Sequence, residues 1–243
     1  MQQDNTMIQA VATSAWVGRS EELADLIHSS PAVRLALLLG QDTKKLEDGE
    51  DLPPLAHWLY FQPRHGRDAY DDAGQLRRGG VLPQVDGLPH RMWAGGRLSF
   101  PGSLTIGMPA QRRSIVTAVT RKEGRTGPLV FVTLRHEMAS HSGGLAVIEE
   151  HDFVYRGPRV GSAAPVAPRG DSVWRREVSL DLVTLFQYSA LTFNSYRIHY
   201  DPDYAIREEH YSGAVVHGPL LATLLIDLVH RCPSSDNLRR LGA

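Results

Sequence analysis

The stretch YSALTFNSYRIHYDPDYA (residues 188–205), followed by GAVVHGPLLATLLIDL (residues 213–228), decides how this chain is read. Asn194 and His199 lie five positions apart, framed by Tyr188, Thr192 and Tyr200. On a helix that spacing would not favour one face, whereas on a loop both side chains can converge on one point. A neutral histidine beside an amide can hold a water between them and exchange a proton near neutral pH. His217-Gly218-Pro219 then opens an apolar segment predicted as a helix to about His230, with proline in the tolerant first turn. Glycine there lets a ligand approach the backbone closely, and free N–H groups at a helix N-terminus favour developing negative charge. Each feature also has a bland reading. Asn194 could be a turn residue, His199 a satisfied structural histidine, and His217-Gly218 an ordinary helix start. Their order, with an apolar helix directly after them, favours the chemical reading.

Working outward, the chain is expected to begin with two helices. Ser20-Glu21-Glu22 reads as a cap leading into Leu23, Leu26 and Ile27, and Pro31 precedes an apolar run that Gly40 stops. Residues 55–61 look like a short buried helix, and the Pro, Gly, Arg and Asp content of residues 62–90 marks an ordered loop or lid. Strand-like runs follow at 96–100, 114–121, 129–138 and 145–155, broken by glycine-rich turns, so a meander of about four antiparallel strands is expected. GPRVGSAAPVAPRGD (residues 158–172) reads as a linker, which divides the chain into residues 1–157 and 173–243. The second unit offers a strand at 175–180, a loop, and the apolar helix.

The balance of 26 basic and 27 acidic residues, a net charge of -1, offers no global field to nucleic acid. The pairs Arg112-Arg113 and Arg239-Arg240 read as solvated faces. A single cysteine, Cys232, excludes an internal disulfide and any multi-cysteine zinc site. The N-terminus lacks the pattern of a secretory signal, and residues 219–229 are too short for a membrane span of roughly 20 residues. A cytoplasmic protein that makes no membrane contact is the expectation.

The central stretch resembles the MaoC-like, (R)-specific enoyl-CoA hydratase pattern. Tyr188, Leu191 and Thr192 match its opening, Asn194 stands where that pattern carries aspartate, Arg197-Ile198-His199 replaces Pro-Leu-His, and Asp201-Pro202 closes it. SALTFNSYRIHYD with VVHGPLLATLL looks more like the branch of hydroxyacyl-thioester dehydratase type 2, mesaconyl-C4-CoA hydratase and itaconyl-CoA hydratase. LPPLAHWLYF, RRGGVLP, RMWAGGRLSF, GPLVFVTLRHE and EEHDFVYR extend the similarity over nearly the whole chain. The resemblance implies an α+β double hotdog, in which each half is an antiparallel sheet wrapped round a central helix. It further implies hydration or dehydration of an α,β-unsaturated or 3-hydroxy acyl thioester carried by coenzyme A or acyl-carrier protein. Asn194 and His199 would be catalytic, and Gly218, His217, Tyr188 and Arg91 would bind substrate. No metal is implied, nor any cofactor beyond the coenzyme A of the substrate.

Two departures matter. Asparagine cannot ionise, so the aspartate's role as acid or base is not available at position 194. Residues 232–243 are too polar to form covering strands, so the C-terminal hotdog is expected to be incomplete and its apolar helix to need a partner in a homodimer or heteromer. A non-catalytic acyl-thioester-binding subunit therefore stays open, as does a thioesterase, which would need a carboxylate near the helix. Arg77, Arg78, Arg91 and Arg97 are candidates to meet a carboxylate of a dicarboxylic acyl chain or the phosphates of coenzyme A.

Overall fold

The computed structural model describes residues 15–77, 80–124, 127–158 and 174–231. Five strands form one antiparallel sheet: β1 (Ser20–Leu26), β2 (His90–Ser99), β3 (Pro109–Gly124), β4 (Gly127–Ala139) and β5 (Leu145–Arg156), in the order β1-β3-β4-β5-β2. The four expected strands are present, each longer than expected. Their alternation is clearest in β4, where Val130, Val132, Leu134, His136 and Met138 are all buried and the residues between them are less so. Helix α1 (Ser29–Leu38) packs Ala32, Leu35 and Ala36 into the same apolar cluster as Ala110, Met138 and Val147 of the sheet.

The expected helix over residues 20–27 is instead β1. Leu23 and Ile27 are four apart, a spacing that fits one face of a helix and equally one face of a strand. Pairing with β3, from Ser20 opposite Ile115 to Leu26 opposite Pro109, decides between the two. The expected helix at 55–61 shrinks to a single 3-10 turn, Ala56–Leu59, because Leu55 adopts a left-handed conformation (φ 68) that helical geometry does not continue. Residues 175–180 form no strand and join no β-ladder among the described residues. The loop expected after them begins as helix α2 (Leu182–Leu191), capped by Asp181, whose carboxylate accepts from Thr184 N at 2.8 Å. The linker lies outside the described residues from 159 onward, as do residues 232–243.

Helix α4 (Gly218–Arg231) confirms the apolar helix expected over 218–230. Leu220 is fully buried in the cluster that holds Leu185 and Tyr188 of α2 together with Leu35 of α1 and Met138 of β4, so residues from both halves share one core. Asp227, which interrupts the apolar run, is buried and accepts from Gln41 Nε2 at 2.6 Å and Arg231 Nε at 2.9 Å, with Arg176 also against it. The five leucines of α4 divide. Leu220 is buried and Leu224 packs on the core, while Leu221 and Leu225 are 48% and 62% exposed. No helix among the described residues is long and apolar enough to cross a membrane.

Candidate active site

A cavity of about 570 Å³ lies between the inner face of the sheet and the segment running from α2 to α4. All six residues singled out from the sequence line it: Tyr188, Asn194, His199, His217, Gly218 and Arg91. Local structure explains how the first four arrive there. Helix α2 ends at Leu191, and Phe193 turns the chain with a positive φ of 50. Asn194 follows, its N–H donating to Ser189 O at 2.8 Å. A 3-10 turn at Arg197–His199 presents His199, and helix α3 (Pro202–Arg207) is started by Asp201, which accepts from Tyr204 N at 2.9 Å, with Pro202 in the first turn. The Asp-Pro that closes the sequence motif is thus a helix start, and Asp201 also pairs with Arg197 at 2.7 Å.

His199 Nδ1 donates to Val215 O at 2.7 Å, which fixes the tautomer and leaves Nε2 as the free ring nitrogen. Burial lowers its pKa against the partial opposition of that hydrogen bond, so the ring is neutral at neutral pH. His217 stacks on it with ring centroids 3.7 Å apart and an interplanar angle of 18°. His217 bonds Ser189 Oγ through Nε2 at 2.8 Å, and burial, with His199 beside it, pushes its pKa down to about 3. Two stacked imidazoles cannot both charge at this distance, and of the two His217 is the one pushed further down, so it stays neutral beside His199. Tyr196 sets an edge against the His199 ring at 5.9 Å, and its hydroxyl donates to the buried carboxylate of Glu209. Sequence reading did not single out Ser189 or Glu209.

Asn194 is committed in part. Its Oδ1 accepts from Tyr196 N at 3.1 Å, so the bland reading as a turn residue holds for the oxygen, while the amide N–H groups remain for the cavity. The turn at residues 71–76 closes over this loop. Ser195 Oγ donates to Gly74 O at 2.7 Å, and Gly74 (φ +83) sits where a Cβ would fall 1.8 Å from Ser195 O. Only glycine fits there.

Gly218 has a reason beyond ligand access. A Cβ at this position would lie 2.5 Å from Cε3 of Trp93, so glycine is required for α4 to seat against β2. Gly218→Ala is expected to cost about 1–3 kcal/mol by overpacking and to shift the first turn of α4. Thermal unfolding alongside turnover checks this, and an unchanged Tm with unchanged kcat would show that the Trp93 ring yields.

The opposite wall of the cavity was not foreseen. Sheet register places Ser114, His136 and Glu149 side by side on the inner face across β3, β4 and β5, with His151 one pair further along. This polar row separates two apolar clusters, one around Met138 and Val147 and the other around Val116, Val132 and Tyr155. Glu149 Oε2 accepts from Trp58 Nε1 at 2.9 Å, meets His57 Nε2 at 3.0 Å, and lies 3.2 Å from His151 Nε2. Burial alone would raise the Glu149 carboxyl, yet His151 and His57 against it hold it well below the usual range. His136 bonds Ser114 Oγ through Nδ1 at 2.7 Å, and burial pushes its pKa down to about 3. Ligand atoms of His136, Glu149 and His151 lie within 4.8 Å of one another, a spacing compatible with a divalent cation. Glu149 Oε2 is already engaged with Trp58 and His57, and the Arg112 cation acts on His136 and Glu149 alike. The row is better described as a carboxylate-centred hydrogen-bond network.

The arginines also sort differently from their sequence reading. Arg97 is 61% exposed and paired with Glu150 and Asp152, Arg77 is bound to Asp71 at 2.6 Å, and neither lines this cavity. Arg78 lies outside the described residues. Arg91 lines the cavity, and so does Arg112, whose side chain is only 19% exposed. The reading of Arg112-Arg113 as a solvated pair holds for Arg113 alone, because successive strand residues point to opposite faces.

A family model described as hydroxyacyl-thioester dehydratase type 2 matches residues 55–241. Mesaconyl-C(4)-CoA hydratase of Chloroflexus aurantiacus is 43% identical over 218 residues, 88% of this chain and 77% of that protein. Mitochondrial hydroxyacyl-thioester dehydratase type 2 of Schizosaccharomyces pombe is 42% identical over 45 residues, 18% of this chain and 15% of that protein. A solved MaoC-like dehydratase superposes with a TM-score of 0.61 at 13% identity, over 86% of this chain and 75% of that one. A MaoC-like dehydratase from Phytophthora capsici gives 0.56 at 13% identity, over 88% and 74%. At such identities the structural likeness shows the fold: α+β, a hotdog sheet wrapped on its helix.

Proposed function

Because the chain belongs to the hydroxyacyl-thioester dehydratase type 2 family, a family of hydro-lyases, we propose that it adds water across an α,β-unsaturated acyl-CoA thioester, or removes it, at the cavity shared by Asn194, His199 and α4. The observation that carries this reading is the His199 ring, with Nδ1 tied to Val215 O and Nε2 left free in a cavity it shares with the amide of Asn194.

In the hydration direction, Nε2 of His199 takes a proton from water while the oxygen forms its bond to Cβ of the enoyl group. The Cα=Cβ electron pair moves toward the thioester carbonyl, and the developing oxyanion is met by the N–H of Gly218 at the start of α4. His199 then returns the proton to Cα, so water is consumed and nothing else is used up. No cofactor enters beyond the coenzyme A of the substrate. Tyr188, His217 and Arg91, which line the same cavity, would contact the bound thioester. The polar opposite wall favours a short C4 or C5 acyl group with a second carboxylate, of the mesaconyl-CoA or itaconyl-CoA kind. The exposed Leu221 and Leu225 support association with a second chain, as a homodimer or heteromer.

The test is turnover of crotonyl-, mesaconyl- and itaconyl-CoA by the purified chain. Asn194→Ser keeps a hydroxyl that can accept from Tyr196 N but removes the amide. It is expected to lower kcat on the order of 10²-fold, in line with the loss of one preorganised donor. A rise in KM with kcat intact would make Asn194 a structural residue.

A further inference from the structure

Resting on the acyl-thioester reading above, we propose that Arg112 is the specificity-determining residue of this chain, holding a carboxylate at the end of a short acyl group remote from the thioester. Arg112 projects from β3 on the inner face of the sheet, opposite Met138 and two residues before Ser114. It lines the same cavity as Asn194 and His199. Its Nε is buried and makes no hydrogen bond among the described residues. The nearest carboxylate oxygen, from Glu21, stands 4.0 Å from Nη2, beyond hydrogen-bond range, and the Phe61 ring is 5.4 Å from the guanidinium carbon.

A guanidinium taken out of water without a bonded anion is costly, and the fold retains it here. Burial lowers its pKa, and the more distant carboxylates of Glu21, Glu149 and Asp25 offset this only in part. Other arginines of the described residues are met internally at hydrogen-bond distance: Arg197 by Asp201 and Arg176 by Asp227. What Arg112 lacks is a planar, bidentate acceptor, and a carboxylate entering the cavity supplies one. Ser114 follows two residues along β3 on the same face, and its strand partner His136 lines the cavity with Arg112. A long alkyl chain laid on that wall would bury the Arg112 guanidinium against hydrocarbon with no anion to meet it, which selects against fatty acyl thioesters. The substrate class that fits both ends of the cavity is an enoyl thioester bearing a second, distal carboxylate.

The experiment compares kcat/KM for mesaconyl-C4-CoA and crotonyl-CoA in the full chain and in Arg112→Gln and Arg112→Lys. The ratio of the two values is expected to favour the dicarboxylic thioester in the parent. It should fall roughly 10–100-fold in Arg112→Gln, the worth of a charge-assisted hydrogen bond, and less in Arg112→Lys, which keeps charge but not the fork. A ratio that moves less than about threefold in both variants overturns the assignment, as does a parent that turns over crotonyl-CoA but not mesaconyl-C4-CoA. Failure of the parent on every enoyl thioester would instead remove the hydratase reading, and this inference with it.

Discussion

His199→Ala is expected to lower kcat for enoyl-thioester hydration by about 10²- to 10⁴-fold, the usual worth of a positioned general base. The substitution also removes the hydrogen bond to Val215 O, so a loss of about 1 kcal/mol in stability should accompany it. The two effects separate by titration. Because burial lowers the pKa of His199, its basic form persists as pH falls through the ordinary histidine range, and kcat/KM for hydration should decline only below that range. The sign follows from the role: protonation removes the base, so activity is lost on the acid side. A decline centred above the ordinary histidine pKa of about 6.5 would contradict the burial argument. A His199→Ala variant within a few-fold of the parent would remove the catalytic assignment.

The second large effect concerns the opposite wall. Glu149→Ala deletes the acceptor shared by Trp58 and His57 and lying against His151, all within a buried region. Removing one side of such a buried charged network costs about 3–5 kcal/mol, against a whole-domain stability of ~5–15 kcal/mol. For a chain of this size that is a fall in Tm of roughly 6–20 °C. The dependence on pH has a definite direction. The Glu149 carboxyl is held below its usual range, so its contribution is fully present above the unfolded pKa of about 4.3. It is lost as pH falls through the lower folded value. The gap between parent and variant should therefore remain at pH 5 and close only in stronger acid. A Tm for Glu149→Ala within about 2 °C of the parent at neutral pH would show that the three donors find other partners.

The sequence by itself determined those features that repeat locally. β-branched and aromatic richness over residues 129–134 marked β4, because such side chains pack well on a pleated, half-buried surface. Proline after Gly218 and the apolar run that follows marked α4, and the Asn194–His199 spacing led to two side chains that do line one cavity. Tertiary structure decided whatever depended on a partner far along the chain. Leu23 and Ile27 satisfy helical and strand periods alike, and only the ladder to β3 makes residues 20–26 a strand. Arg112 looked like half of a solvated pair until strand geometry sent it inward and Arg113 outward. Ser114, His136 and Glu149 form a row only through the register of three strands. A charged Glu149 is tolerable there because Trp58 and His57, some 90 positions away in sequence, bring their donors to it. Periodicity is written within a few residues, whereas register and the pairing of buried charge are long-range contacts whose closing entropy is repaid only when the whole sheet assembles.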